Sequence, residues 1–418
     1  MAKEQPRRLS RISRRLFIGG SLALPACANL DRGSGVPPAL QSGVTVLGVP
    51  NARFWGDEDL DRLRDEALTA TEREMRHLGL RVGRDRLPPA HFLSISGGGD
   101  DGAFGAGLLN GWTEKGDRPS FKLVTGVSTG SLSAPLAFLG SAYDASLREA
   151  YTGIGPDDIF RQRDWVAIPF SDGIADSAPL ARMIARYVDA AMLAAIAAEY
   201  AKGRLLLIGT TNLDAQRPVI WNIGAIAASG HPGALGLVRD VLRASASVPG
   251  AVSPVMFDVE SGGRSWQEMH VDGGVVAQTF LYPTGMRTEE VSRIAPRERN
   301  AYIIRNSRLR GDGTDANRNL LSIAGRAISS MIQYSGQNDI IRLQNLTRRD
   351  GVGFNLAYIR DDFGTPWRSA FEPAYMRALY EYGRTRMLEG RAWESSHPSL
   401  RQADPGAPAP ARSSGGAR

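Results

Sequence analysis

The stretch HFLSISGGGDDGAFGAGLLNGWTEKGDRPSFKLVTGVSTGSLS, residues 91–133, decides the fold. Residues 91–96 read as a strand that empties into the loop Gly97-Gly98-Gly99-Asp100-Asp101-Gly102, and residues 103–112 read as the helix behind it. A second strand, residues 121–125, ends in Gly126-Val127-Ser128-Thr129-Gly130, a G-x-S-x-G pentapeptide followed by the helix-compatible residues 131–139. Strands alternating with helices in this way make an α/β protein. The glycines flanking Ser128 let the backbone turn sharply from strand to helix, which holds the hydroxyl proud of the sheet above a helix N-terminus. A serine placed there is a candidate nucleophile.

The glycine loop admits two readings. Gly97, Gly99 and Gly102 satisfy the G-x-G-x-x-G dinucleotide pattern between a strand and a helix. However, Asp100 and Asp101 would meet a pyrophosphate with like charge, and the next strand ends in the serine turn rather than near an acidic ribose ligand. No Gly-Lys-Ser/Thr follows, so a phosphate P-loop is not met either. As an oxyanion hole the loop makes better sense. Consecutive N–H groups of Gly97, Gly98 and Gly99, with Gly102 opening a helix, form a concave donor site. Each donor aimed at a developing oxyanion contributes roughly 3 kcal/mol. Neither a nucleotide cofactor nor a metal is expected.

A serine nucleophile needs a base. The histidines are His77, His91, His231, His270 and His397, and none stands where a Ser–acid–His order would want it, since only His397 follows the candidate acid and it lies in a polar tail. Asp272 ends the strand-like residues 266–271 and precedes Gly273 and Gly274, which would let it reach the sheet edge where Ser128 turns. A carboxylate at its ordinary pKa of about 3.9 is a weak base. Either burial raises it or the substrate is an ester rather than an amide. His270 reads as a strand histidine with a satisfied ring.

Charge locates a different feature. The net charge is +6, but Lys3, Arg7, Arg8, Arg11, Arg14 and Arg15 stand against Glu4 alone in the first residues, so the basicity belongs to the leader and a nucleic-acid partner is dropped. That leader has a basic n-region, an apolar h-region at residues 16–24 and small residues before Cys27, the parts of an export signal. Ser13-Arg14-Arg15-Leu16-Phe17-Ile18 resembles the twin-arginine motif, and Leu24-Pro25-Ala26-Cys27 resembles a bacterial lipobox. Cys27 is the single cysteine of the chain, which leaves no internal disulfide and makes it the expected lipidation site. The expected organisation is a signal at 1–27, a linker at 28–43, a hydrolase domain at 44–394 and a disordered tail at 395–418. With 418 residues and 42% hydrophobic content a sizeable core is available.

Elsewhere, residues 44–49 read as a short strand and residues 57–78 as an amphipathic packing helix. Residues 143–200 read as mostly helical. Residues 205–211 have the apolar character of a buried strand, with 219–222 as its partner. Residues 235–244 read as a helix, 300–306 as another buried strand, 317–346 as a long helix, 353–359 as a strand and 373–393 as the closing helix.

The four motifs Gly97-Gly98-Gly99-x-x-Gly102, Gly126-x-Ser128-x-Gly130, Ala244-Ser-Ala-Ser-Val-Pro249 and Asp272-Gly273-Gly274 resemble, in order and spacing, those of the patatin-like phospholipases. The resemblance implies a three-layer α/β/α sandwich with a mostly parallel central sheet, a Ser128–Asp272 dyad without histidine, and Gly97, Gly98 and Gly99 as oxyanion donors. It also implies hydrolysis of lipid or phospholipid acyl esters at a membrane surface through an acyl-enzyme. Where the family usually has Lys or Arg, this chain has Asp101, which widens the expectation to neutral esters and lysolipids. The rival expectations are a catalytically inactive lipid-binding lipoprotein and a dinucleotide-binding protein.

Overall fold

The residues of Leu205–Asn212 are buried throughout, with Leu206 and Ile208 entering one apolar layer and Leu205 and Leu207 the other. A strand apolar on both faces has to be covered on both, and a sheet grows around this one. The computed structural model describes residues 32–81, 84–162, 172–294, 296–311, 318 and 320–400. To one side of Leu205–Asn212 run, all parallel, Phe121–Gly126, Ala90–Ile95, Arg299–Arg308 and Gly353–Ile359. On the other side lie the antiparallel strands Arg217–Asn222 and Arg53–Trp55. Helices Gly102–Lys115, Thr129–Leu139 and Pro373–Leu388 pack into one layer through residues such as Leu108, Phe138 and Tyr380. Leu60–His77 and Leu320–Arg349 pack into the other through Leu63, Ile340 and Leu343. The result is the α/β/α sandwich with a parallel centre.

Residues 44–49 are not a strand. Thr45 makes one isolated bridge to Glu260, and Leu47 and Gly48 then take positive φ values of 54° and 62°, which end any extension. The first strand is Arg53–Trp55 instead. Between residues 143 and 200 the helices Asp144–Thr152, Pro156–Ile159, Ala178–Tyr187 and Ala190–Ala201 are accompanied by a small separate sheet of Arg161–Gln162, Gly173–Asp176 and Gly250–Val252. The described part of the linker is packed rather than free: Val36 is buried and Arg32 pairs with Asp214 at 2.7 Å. The start of the expected tail is also packed, with the buried His397 donating its N–H to Gln344 Oε1. The export signal, the twin arginines and Cys27 lie outside the described residues, as do residues 401–418.

An antiparallel hairpin, Val255–Ser261 with Arg264–Asp272, positions the site. Arg264–Asp272 lies along the far half of Leu205–Asn212, with His270 opposite Asn212 and Asp272 opposite Thr210. The near half of the same edge is taken by Phe121–Gly126, whose last pair is Gly126 with Ile208. The serine strand and the aspartate strand therefore meet end to end on one edge of a shared partner, their last register positions about 7 Å apart at ~3.3 Å per residue. A buried polar network fixes this junction from below. Arg53 donates to both oxygens of Glu268, His270 Nε2 lies 3.1 Å from Glu268 Oε2, His270 Nδ1 lies 2.9 Å from Thr210 Oγ1, and Trp221 Nε1 donates to that hydroxyl at 2.8 Å. Burial pushes the Glu268 carboxyl up, but His270 and Arg53 outweigh it and hold it at about 2. Burial also holds the His270 ring below its ordinary value. With both ring nitrogens engaged, His270 is the satisfied strand histidine expected.

Candidate active site

Ser128 sits at φ 55°, ψ −129°, a conformation that a non-glycine residue holds only when its surroundings enforce it. The enforcement is visible in the flanks. A Cβ on Gly130 would come within 2.2 Å of the Ile95 carbonyl oxygen, so only glycine lets the turn press against the neighbouring strand. The Ser128 N–H donates to Ser245 Oγ at 3.0 Å, Ser245 Oγ donates to the Gly209 carbonyl at 2.7 Å, and the Ser131 hydroxyl donates to the Ser128 carbonyl at 2.6 Å. The helix Thr129–Leu139 begins directly behind the serine.

Asp272 ends its strand beside this turn. Its N–H donates to the Ser247 carbonyl at 2.9 Å, Thr211 Oγ1 donates to its carbonyl at 3.0 Å, and its Oδ1 accepts the Gly274 N–H at 2.7 Å. Ser245 thus holds the serine turn while Ser247 holds the aspartate. That gives the Ala244–Pro249 motif its physical reason: one short segment ties both halves of the site together. The carboxylate is buried, and burial pushes its pKa up to about 6 against the lowering effects of the Ser128 hydroxyl and the Gly274 N–H. The Ser128 hydroxyl acts on the carboxylate from close by, yet no hydrogen bond to Oδ2 is completed: that oxygen is buried without a partner among the described residues. An unpartnered buried carboxylate oxygen beside a serine hydroxyl is poised to accept a proton.

The glycine loop lies against the same serine. A Cβ on Gly97 would stand 3.0 Å from Ser128 Cβ, which places the loop backbone alongside the hydroxyl-bearing side chain. Its four expected donors are not equivalent. The Gly97 N–H donates to the Gln278 carbonyl at 3.1 Å, and the Gly102 N–H turns back to the carbonyls of Asp100 and Gly99. The N–H groups of Gly98 and Gly99 have no acceptor among the described residues. Neither has that of Thr129, at the first turn of its helix, where backbone donors are left over. Gly98 is fixed by close approach, since a Cβ there would lie 2.0 Å from the Asn306 carbonyl oxygen. Gly126, Gly273 and Gly274 close the two turns: a Cβ on Gly273 would strike the Gly209 carbonyl at 2.5 Å.

Asp100 and Asp101 are engaged by the chain at and before the closing helix. Asp100 Oδ2 accepts Trp367 Nε1 and the Phe371 N–H, each at 2.9 Å, and Asp101 Oδ1 accepts the Tyr375 hydroxyl at 2.6 Å. Asp100 therefore pins the chain before the closing helix, and Asp101 pins the first turn of that helix. Three functional neighbours were missed in the sequence. Asn306, at the end of its strand, donates Nδ2–H to the Ser96 carbonyl at 3.0 Å, while its Oδ1 accepts the Gly105 N–H at 3.1 Å. Gln278 braces Gly97 and donates to the Gly274 carbonyl at 2.9 Å. Arg305 is a buried cation whose Nε and Nη1 have no acceptor among the described residues; burial pushes its pKa down to about 10, with Asp339 and Asp101 drawing it up. A polar run at the end of an otherwise apolar strand was the one available signal.

Fold and site together define a class: an α/β/α sandwich whose serine occupies a strand-to-helix elbow facing a buried carboxylate. Residues 93–283 match the sequence model of the patatin-like phospholipase family. The family is one of lipid acyl hydrolases. All four motifs fall inside the match. No curated protein sequence matches the chain. Among solved structures, VipD from Legionella pneumophila is similar at 11% identity and a TM-score of 0.35, over 72% of this chain and 67% of that one.

Proposed function

We propose that this protein hydrolyses acyl esters of membrane lipids with Ser128 as nucleophile and Asp272 as its only base. The observation that carries the proposal is the meeting of a strained serine with a buried carboxylate whose Oδ2 lacks a partner among the described residues and whose pKa is raised to about 6. Asp272 takes the Ser128 proton and Ser128 Oγ attacks the acyl carbonyl. The N–H groups of Gly98, Gly99 and Thr129 hold the oxyanion. The lipid alcohol leaves with the proton from Asp272, and a water deprotonated by Asp272 then releases the fatty acid and restores the serine. The N-terminus of Thr129–Leu139 adds positive potential where negative charge develops. The basic leader, its twin arginines and the lone Cys27 support export and attachment to a membrane through a lipid on that cysteine.

The test is a pH profile with a soluble p-nitrophenyl ester. Asp272 must be ionised to act as a base, so kcat/KM should rise with pH through an apparent pKa near 6 and fall about tenfold per unit below it. A profile flat between pH 4 and 8 would remove Asp272 from the base role.

A further inference from the structure

The long helix Leu320–Arg349 has two unlike halves. From Gly336 onward it is seated, with Asp339, Ile340, Leu343 and Leu346 buried. Gln333 and Gln337 mark the change: Gln333 Nε2 donates to the Arg308 carbonyl at 2.8 Å and Gln337 to that of Leu309, so this level of the helix sits where the strand Arg299–Arg308 ends. That strand is parallel to Ala90–Ile95, which in turn is parallel to Phe121–Gly126, so Arg308 lies at the end of the sheet that carries Ser128. Upstream of Gln333, every residue whose burial is described is exposed or half-exposed. The stretch from Ser322 to Ile332, about 15 Å at ~1.5 Å per residue, therefore continues past the end of the strand Arg299–Arg308, and its residues of described burial enter no core among the described residues.

The uncovered surface is apolar. Ile323, Ala327, Met331 and Tyr334 follow one face at helical spacing, flanked by Ile328 and Ile332, with Met331 exposed by 71% and Tyr334 by 65%. Polar residues occupy the opposite side, among them Ser322, Arg326 and Gln333. The mouth of the site has the same character: Val275 and Val276, directly after Asp272-Gly273-Gly274, are exposed, and Trp367 is exposed while its indole N–H is held by Asp100 beside the glycine loop. Charge selects the occupant. Residues 318–334 hold Arg318 and Arg326 and no acidic residue, and Arg310 and Arg318 are exposed.

We infer that the exposed face of this helix, together with Val275, Val276 and Trp367, is a docking surface for an anionic lipid bilayer that sets Ser128 against the membrane. An amphipathic helix lies in the interface with its apolar side sunk ~5–10 Å into the headgroup boundary, and arginines near the surface add attraction to anionic lipid. Among the described residues no helix is long and apolar enough to cross a membrane. The inference rests on the acyl-hydrolase reading for its biological sense but not for its test.

The test is co-sedimentation of full-length protein with vesicles of phosphatidylcholine containing phosphatidylglycerol, and of phosphatidylcholine alone. Cys27→Ser in every sample removes any acyl anchor. The parent should bind the anionic vesicles several-fold more strongly than the neutral ones. Replacing Ile328, Met331 and Ile332 with serine should lower the partition coefficient at least tenfold and leave soluble-ester hydrolysis within about twofold, which also shows that the variant is folded. Equal vesicle binding by parent and triple variant would overturn the inference. So would a parent that dimerises in sedimentation velocity while the triple variant is monomeric, since a second copy would then be the occupant. A protein that docks but cleaves no ester would contradict the hydrolase instead.

Discussion

Ser128→Ala is expected to reduce hydrolysis of p-nitrophenyl esters and of dispersed phospholipid by about 10⁴-fold or more, roughly 5.5 kcal/mol of transition-state stabilisation. The expectation is that large because the proposed chemistry has one nucleophile and no histidine relay to fall back on. Alanine keeps the backbone N–H that donates to Ser245 and leaves the helix start at Thr129 in place, so the fold should be retained. The melting temperature should stay close to that of the parent, because the positive φ is as unfavourable for alanine as for serine. Turnover within tenfold of the parent would remove Ser128 from the mechanism.

Asp272→Asn should abolish turnover to a similar degree while making the protein more stable near neutral pH. The sign follows from burial. The folded-state pKa is raised from 3.8 to about 6, so the native protein binds the proton more tightly than the unfolded chain. The stability gained from that proton is fully present below about pH 4, is lost as pH rises through about 6, and stays lost above it. A raised pKa of about two units corresponds to roughly 3 kcal/mol carried as a penalty by the ionised wild type at neutral pH. Asparagine is never ionised. Its Oδ1 can still accept the Gly274 N–H, and its amide can donate to the Ser128 hydroxyl where Oδ2 now has no partner. Urea unfolding at pH 4 should give similar stabilities for the two proteins, and at pH 7.5 the variant should lead by up to about 3 kcal/mol. A variant that is less stable at pH 7.5, or a gap that does not widen with pH, would mean that Asp272 is not held as a strained, catalytically useful base.

The sequence exposed those features that are written locally. The elbow could be read because the glycines of G-x-S-x-G answer to a clash only a few residues away, with Gly126 packed against the Gly130 carbonyl. The buried strand Leu205–Asn212 could be read because an unbroken apolar run has few other homes. The hairpin partner Val255–Ser261 was missed although its burial alternates along the strand; turn residues on both sides disguised so short a period. The apolar residues 44–49 misled for the opposite reason, since hydrophobicity there serves packing while the positive φ at Leu47 and Gly48 forbids extension.

Long-range pairing was invisible by its nature. Nothing near Gly97 indicates that its N–H is taken by Gln278, far along the chain, leaving Gly98 and Gly99 as the loop donors without partners among the described residues. Nor could spacing reveal that Asp100 and Asp101 serve Trp367, Phe371 and Tyr375. The approach of Asp272 to Ser128 was expected from its place at a strand end before two glycines, but its structural cause was not legible. It depends on two strands sharing one edge of Leu205–Asn212, which is a fact of register rather than of motif.

The most direct measurement is active-site labelling with a fluorophosphonate followed by mass spectrometry. A single adduct is expected, in the tryptic peptide spanning residues 123–148 and with fragment ions placing it on Ser128, absent from Ser128→Ala and formed far more slowly in Asp272→Asn. Label on another residue, equal labelling of the Asp272 variant, or no label on a folded wild-type protein would contradict a serine activated by that carboxylate.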